Sequence, residues 1–240
     1  MENTLQGLNV VITGASKGIG KAIAKAFAAE GANLFICARN EVQLYNTMAD
    51  LQTQHPTISV KAKAYDLSIK EEANSFGQWI MDNGATTAIL VNNAGQFLPG
   101  SVHSEPDGLL EQMIQANLYS AYHLSRKLLP AMMAAKKGHV FNICSIASLN
   151  AYNNGGAYSI SKAALMGFSK NLREEMKPFQ IKVTAVYPGA VLTDSWGDYD
   201  NSSNRIMEAT DIATMIVAAA KLSPGAVVED IILRPQLGDL

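Results

Sequence analysis

Tyr158 and Lys162 stand four residues apart in AYSISKAAL (157–165), among small or apolar neighbours. On a helix that spacing points both side chains the same way. A free phenol, with a pKa of about 10, is too weak an acid for efficient proton transfer at neutral pH. A neighbouring ammonium favours phenolate and lowers that value. A fall of about three units corresponds to roughly 4 kcal/mol, which demands a partly desolvated site and a further positive charge. The bland alternative is one turn of an amphipathic helix. Context decides. Ser145 precedes Tyr158 by thirteen residues, at the end of an apolar run, and its hydroxyl can donate to a carbonyl oxygen that gains charge. Asn117 is a polar residue amid apolar helical neighbours and needs a hydrogen-bond explanation. NNAG (92–95) is a second place where the chain must turn closely around a ligand.

The first apolar run is followed by TGASKGIG (13–20), with Gly14, Gly18 and Gly20. Glycines let the chain turn tightly and approach a bound group, while the next helix aims its N-terminus at a pyrophosphate. The spacing is GxxxGxG, unlike the GxGxxG of most dinucleotide folds. The second apolar run ends CARN, with Arg39 where NAD sites place an acid for the ribose hydroxyls. Lys17 from the glycine turn and Arg39 suit a 2′-phosphate, which Arg grips through two parallel bonds. The competing reading makes both residues solvated surface charges.

These groups need elements to hold them. Strand-like runs occur at 9–13, 33–38, 58–65, 88–92, 139–144, 181–187 and 229–234. Helical periods lie between them near 19–30, 41–54, 69–82, 105–136, 158–177 and 209–221. Alternation of this kind predicts an α/β fold with a parallel sheet covered by helices on both faces. No repeat, linker or low-complexity tract divides residues 1–240, so one domain is expected. The polar stretch DSWGDYDNSSN (194–204) resembles a mobile loop at the ligand edge.

The formal net charge of −2 gives no reason to expect nucleic acid or an anionic membrane as a partner. Cys37 and Cys144 sit in apolar runs and read as reduced core residues. The N-terminus lacks a basic flank and a long apolar core, so no secretory signal is legible, and the run IVAAA (216–220) is far short of a membrane span. The expected location is the cytoplasm. His55, His103, His123 and His139 have no metal-ligand spacing, and no metal is expected.

Taken together, TGASKGIG, NNAG, Asn117, Ser145, YSISK and PGAVLT (188–193) resemble the short-chain dehydrogenase/reductase family in order and spacing over essentially the whole chain. The resemblance implies a Rossmann-type, doubly wound, seven-stranded parallel sheet and a catalytic tetrad of Asn117, Ser145, Tyr158 and Lys162. It implies cofactor contacts from Gly14, Ser16, Lys17, Gly18, Ile19, Gly20 and Arg39 on the phosphate side, and from Asp66 and Leu67 at the adenine. Asn93, Ala94 and Gly95 would line the cofactor, with Pro188, Gly189, Val191 and Thr193 near the carboxamide, and Tyr158 and Lys162 at the nicotinamide ribose. The basic pair matches members that prefer NADP(H). A homodimer or homotetramer is expected by the same analogy.

Substrate contacts are expected from Ser145 and Tyr158, and from Trp196 and Tyr199 in a loop at about 194–208. The two aromatics either form a lid that stacks on substrate or pack on the protein's own surface. Asp194, Asp198 and Asp200 offer acceptors, and Arg205 is the only cation between Thr193 and Met207, a poor dock for an acidic carrier protein. A small-molecule carbonyl substrate is expected, with a sepiapterin-like pterin the sharpest candidate, because PGAVLTDSWG and the tail resemble bacterial sepiapterin-reductase-type members. The alternatives are a 3-oxoacyl-[acyl-carrier-protein] reductase and a non-catalytic NADPH sensor.

Overall fold

A computed structural model describes residues 4–193 and 196–239. Its strands are β1 (Asn9–Thr13), β2 (Asn33–Ala38), β3 (Val60–Ala64), β4 (Ile89–Asn92), β5 (Gly138–Ile143), β6 (Ile181–Pro188) and β7 (Asp230–Leu233). They form one parallel sheet in the order β3-β2-β1-β4-β5-β6-β7. The chain builds outward from β1 to β3, then returns to lay β4 on the other side of β1. That reversal opens a crevice beyond the carboxyl ends of β1 and β4, where ligands bind in sheets of this kind.

Side chains alternate across a strand, and both faces here are apolar. Val10 and Ile12 pack in one cluster with Ile23 and Phe27 of α1 (Gly18–Ala29), Leu44 and Leu51 of α2 (Glu41–Gln54), and Ile212 and Ile216 of α7 (Ala209–Ala220). Val11 and Leu90 point the other way. They meet Phe76 and Ile80 of α3 (Lys70–Asp82), Leu124, Leu128 and Met132 of α5 (Ser120–Ala135), and Leu172 and Met176 of α6 (Gly156–Met176). Cys37 and Cys144 are buried and unpaired.

The helical period over 105–136 resolves into more than one piece. Gly108, at φ 86°, precedes α4 (Leu109–Ile114), and a π-helical turn over Gln115–Tyr119 joins it to α5. One extra residue in that turn rotates the side chains after it, and Asn117 sits at its centre. Single-turn π bulges of this kind collect at functional sites.

A polar ladder crosses the helix-to-sheet interface. Asn92 Nδ2 donates to Ser125 Oγ (3.0 Å) and Asn142 Oδ1 (2.8 Å), and Asn142 Nδ2 donates to Ser169 Oγ (2.8 Å). All four residues are buried. The ladder thereby joins β4, β5, α5 and α6.

The side chain of buried His139 makes a polar contact of its own. Its Nε2 lies 2.7 Å from Thr184 Oγ1, which itself donates to the Val228 carbonyl, so the imidazole is the donor. Burial, reinforced by nearby Lys182, pushes its pKa down to about 3 from an ordinary 6.5. The unfolded chain therefore binds the proton first, and stability is lost as pH falls from 6.5 towards 3. Between pH 7 and pH 5 this one group should remove roughly 2 kcal/mol of unfolding free energy. Urea titrations at the two pH values should show that loss in the parent and a smaller one in His139→Gln.

Candidate active site

The glycine turn is held by the loop after β4. Thr13 Oγ1 accepts from Asn93 N (2.9 Å) and Ala94 N (2.8 Å), while Asn93 Nδ2 donates to the carbonyls of Thr13 (2.9 Å) and Gly14 (3.2 Å). The Asn93 side chain thus braces the turn. Gly14 and Gly18 have φ of +65° and +52°, where a side chain is strained, and a Cβ on Gly20 would strike the Gly14 carbonyl. Helix α1 begins after Lys17 with no side-chain cap and no acid in its first turn. Its first N–H groups and its dipole are suited to an anion. Ser16 is held by its carbonyl, which accepts from Thr47 Oγ1 (3.1 Å), and Ile19 packs against the core.

Arg39 is exposed after β2, one strand over from the turn, in the register Thr13↔Cys37. Its guanidinium lies 4.0 Å from Asp66, whose Oδ1 is taken by the amide and hydroxyl of Ser68. Leu67 is buried in the core, which leaves its backbone for contact with a ligand. Beyond β6, Gly189 N donates to Leu233 O (2.7 Å), and a Cβ on Gly189 would collide with the Asp239 carboxylate and lie 3.1 Å from the Pro235 ring. Pro188 is the last residue of β6. Val191 is buried and bridges to Met207. The Thr193 methyl lies 3.2 Å from where a Cβ on Gly18 would be, so this loop closes over the glycine turn.

Two of the four candidate catalytic residues, Asn117 and Lys162, meet at Gly95. A Cβ there would lie 2.7 Å from Asn117 Oδ1 and 3.5 Å from Lys162 Nζ. Asn117 is fully buried. It accepts from Gln96 N (2.7 Å) and donates to Gln96 O (3.0 Å) and Ser161 Oγ (2.8 Å). Its side chain therefore ties the loop after β4 to the helix between Tyr158 and Lys162. Ser145 caps the short 3-10 turn Ile146–Ser148, accepting from Ala147 N (3.2 Å), and its hydroxyl bonds Tyr158. Lys162 is buried, with Nζ 2.8 Å from Ile143 O and 5.9 Å from the centre of the Tyr158 ring.

The expected lowering of the Tyr158 pKa by Lys162 is absent. Burial pushes the phenol up to about 12, with the Ser145 hydrogen bond pulling the other way. Burial also pushes Lys162 down to about 8. Desolvation is the larger influence on both groups.

Trp196 and Tyr199 are part-buried and lie against each other, ring centres 5.2 Å apart and tilted by 55°. Asp200 is committed to the Ser202 amide (2.8 Å) and hydroxyl (3.1 Å), Asp198 is exposed, and Asp194 lies outside the described residues. Sequence reasoning missed Phe97, whose ring meets Tyr158 edge-on at 4.9 Å. An aromatic two residues beyond NNAG was the available signal. Ser161, inside YSISK, was missed as the partner of Asn117. Among the described residues no cluster of His, Cys, Asp and Glu could hold a metal ion, and no helix is long and apolar enough to cross a membrane.

Residues 8–204 match the short chain dehydrogenase family, and the chain belongs to it. An uncharacterized oxidoreductase of Staphylococcus aureus is 30% identical over 225 residues, covering 94% of this chain and 96% of the relative. Among solved structures, a metagenomic short-chain oxidoreductase in complex with NADP superposes with a TM-score of 0.85 at 30% identity, over 97% of this chain and 99% of that one. L-Sorbose reductase from Gluconobacter frateurii, complexed with NADPH and L-sorbose, gives 0.87 at 26% identity, over 97% of each chain.

Proposed function

We propose that this chain is an NADPH-dependent reductase that converts a carbonyl of a small substrate to an alcohol, with Tyr158 as the proton donor. The observation that carries the reading is the convergence of Asn117, Lys162 and the Ser145–Tyr158 pair beside a braced glycine turn. The residues fit the cofactor. The uncapped start of α1 suits its pyrophosphate, exposed Arg39 suits a 2′-phosphate, and the two structural relatives hold NADP and NADPH.

When bound, the reduced nicotinamide supplies a hydride to the carbonyl carbon. Tyr158 Oη gives its proton to the carbonyl oxygen, and the two transfers together make the alcohol. Burial keeps the phenol protonated at neutral pH, and a neighbouring ammonium would lower that pKa and make the proton transferable. Ser145 Oγ donates to the same oxygen as charge grows on it. Lys162, now on the Ile143 carbonyl, would hold the cofactor's ribose and bring its charge to Tyr158. Asn117 holds α6 against the loop after β4 and positions the water that restores the proton.

Cofactor choice tests the reading directly. NADPH should bind at least tenfold more tightly than NADH, about 1.4 kcal/mol, and Arg39→Asp should erase most of the gap. Matching titrations for both cofactors in the parent protein would refute the assignment. For substrate, the Trp196–Tyr199 pair suits a flat ketone, and a pterin remains the sharpest candidate. Pterins, diketones, ketose sugars and acetoacetyl thioesters should be compared with NADPH as donor. Trp196→Ala should raise KM for the preferred ketone more than it alters NADPH affinity. Turnover confined to the thioester would move the enzyme to the fatty-acid branch, and no turnover with any carbonyl would favour a sensor.

A further inference from the structure

Helix α6 carries Tyr158, Ser161 and Lys162, yet it begins without a local cap, because Gly155 has no side chain to offer. The first N–H groups of a helix have no partner within it. One of them, Ala157 N, donates to Glu105 Oε1 at 2.8 Å, across 52 residues of sequence. Glu105 belongs to the segment 96–108 between β4 and α4. That segment is fastened to the approach of α6 by Gly100 N to Asn154 O (3.0 Å) and Ser101 Oγ to Asn154 Oδ1 (2.7 Å). The carboxyl occupies a slot that two glycines leave open. A Cβ on Gly100 would lie 2.6 Å from Glu105 Cγ, and one on Gly156 would collide with Glu105 Oε1. The same segment lays Phe97 against the Tyr158 ring.

We propose that Glu105 is a positioning residue for the reaction, fixing the first turn of α6 and so the placement of Tyr158 Oη beside Ser145. The inference rests on Tyr158 being the proton donor. Tyr158 is the third residue of the helix and Ala157 the second, so a change at the cap reaches the phenol through a single peptide. Misplacement of a reacting group by about 1 Å can cost on the order of a hundredfold in rate. The phosphate side of the proposed NADPH surface, the glycine turn and the end of β2, lies away from this cap, and Lys162 is a full turn beyond it on α6, so cofactor affinity should change far less than kcat.

The test uses the full chain with saturating NADPH and the best ketone of the panel, with Tyr158→Phe measured alongside. Glu105→Ala should lower kcat at least tenfold and leave the NADPH dissociation constant within twofold. Glu105→Gln keeps an oxygen for Ala157 N–H and should retain at least half of kcat. Should the Ala variant not fold, Glu105→Asp, one methylene short of the amide, should lose at least fivefold. An inactive Tyr158→Phe beside a Glu105→Ala that keeps more than half its kcat would overturn the positioning role alone. So would a Gln variant as impaired as Ala, or NADPH affinity that falls in step with kcat. An active Tyr158→Phe would overturn the reading of the site, and this inference with it.

Discussion

Tyr158→Phe should fold, bind NADPH and turn over at least a hundredfold more slowly than the parent. The substitution keeps the ring that packs edge-on with Phe97 and removes only the hydroxyl bonded to Ser145. Loss of a general acid typically costs 10²–10⁴ in rate. Lys162 Nζ is turned to the Ile143 carbonyl, and the side-chain hydrogens of Asn117 are taken by Gln96 and Ser161. Stopped-flow turnover with NADPH, paired with fluorescence titration of NADPH, separates chemistry from binding. A variant that kept more than about a tenth of parental activity would send the search to another acid.

The second large effect belongs to Lys162. Lys162→Met keeps the stem and removes the charge, so turnover should fall at least a hundredfold and NADPH should bind more weakly. The parent protein should also reveal the lysine by pH. In the free enzyme burial sets its pKa to about 8, whereas the complex needs the ammonium. The sign follows from proton uptake on binding. NADPH affinity should be level below pH 8 and weaken above it, approaching tenfold per pH unit. In Lys162→Met that dependence should vanish. A parental affinity that stays flat from pH 7 to pH 9.5 would remove Lys162 from the binding role.

The seven-stranded parallel sheet and its ligand edge were legible because parallel sheets write themselves plainly. Val10, Val11 and Ile12 are apolar in succession, as a strand buried on both faces requires. The glycine spacing, Ser145 and the Tyr158–Lys162 pair were legible because each lies within a short stretch whose local geometry already fixes it. What stayed hidden depends on distant contacts. The period over 105–136 could not reveal the π turn, whose extra residue accompanies hydrogen bonds from Asn117 to Gln96 and Ser161. Lys162 reads as an activating charge, and the local pattern gives no sign that its Nζ meets Ile143 O. Glu105 opens the helical period near 105–136 and shows no sign of its capping role, because the helix it caps begins far along the chain. Asp200 promised a substrate acceptor, and a two-residue turn onto Ser202 claimed it.

The ladder from Asn92 through Asn142 to Ser169 has a bearing on how this enzyme would tolerate change. Apolar contacts between a helix and a sheet are permissive, since a slip of α6 along its axis trades one aliphatic neighbour for another. A hydrogen-bonded amide is not permissive, and leaving one partner buried and unpaired costs about 1–3 kcal/mol. Ser169 lies two turns beyond Lys162 on the same helix and meets Asn142 at one axial setting only. The proposed substrate contacts Trp196 and Tyr199, by contrast, lie in the segment 196–208, which the ladder does not touch. Exchanging that segment for others should therefore change which ketone is accepted while the reaction centre keeps its alignment, making this scaffold a tractable starting point for directed evolution.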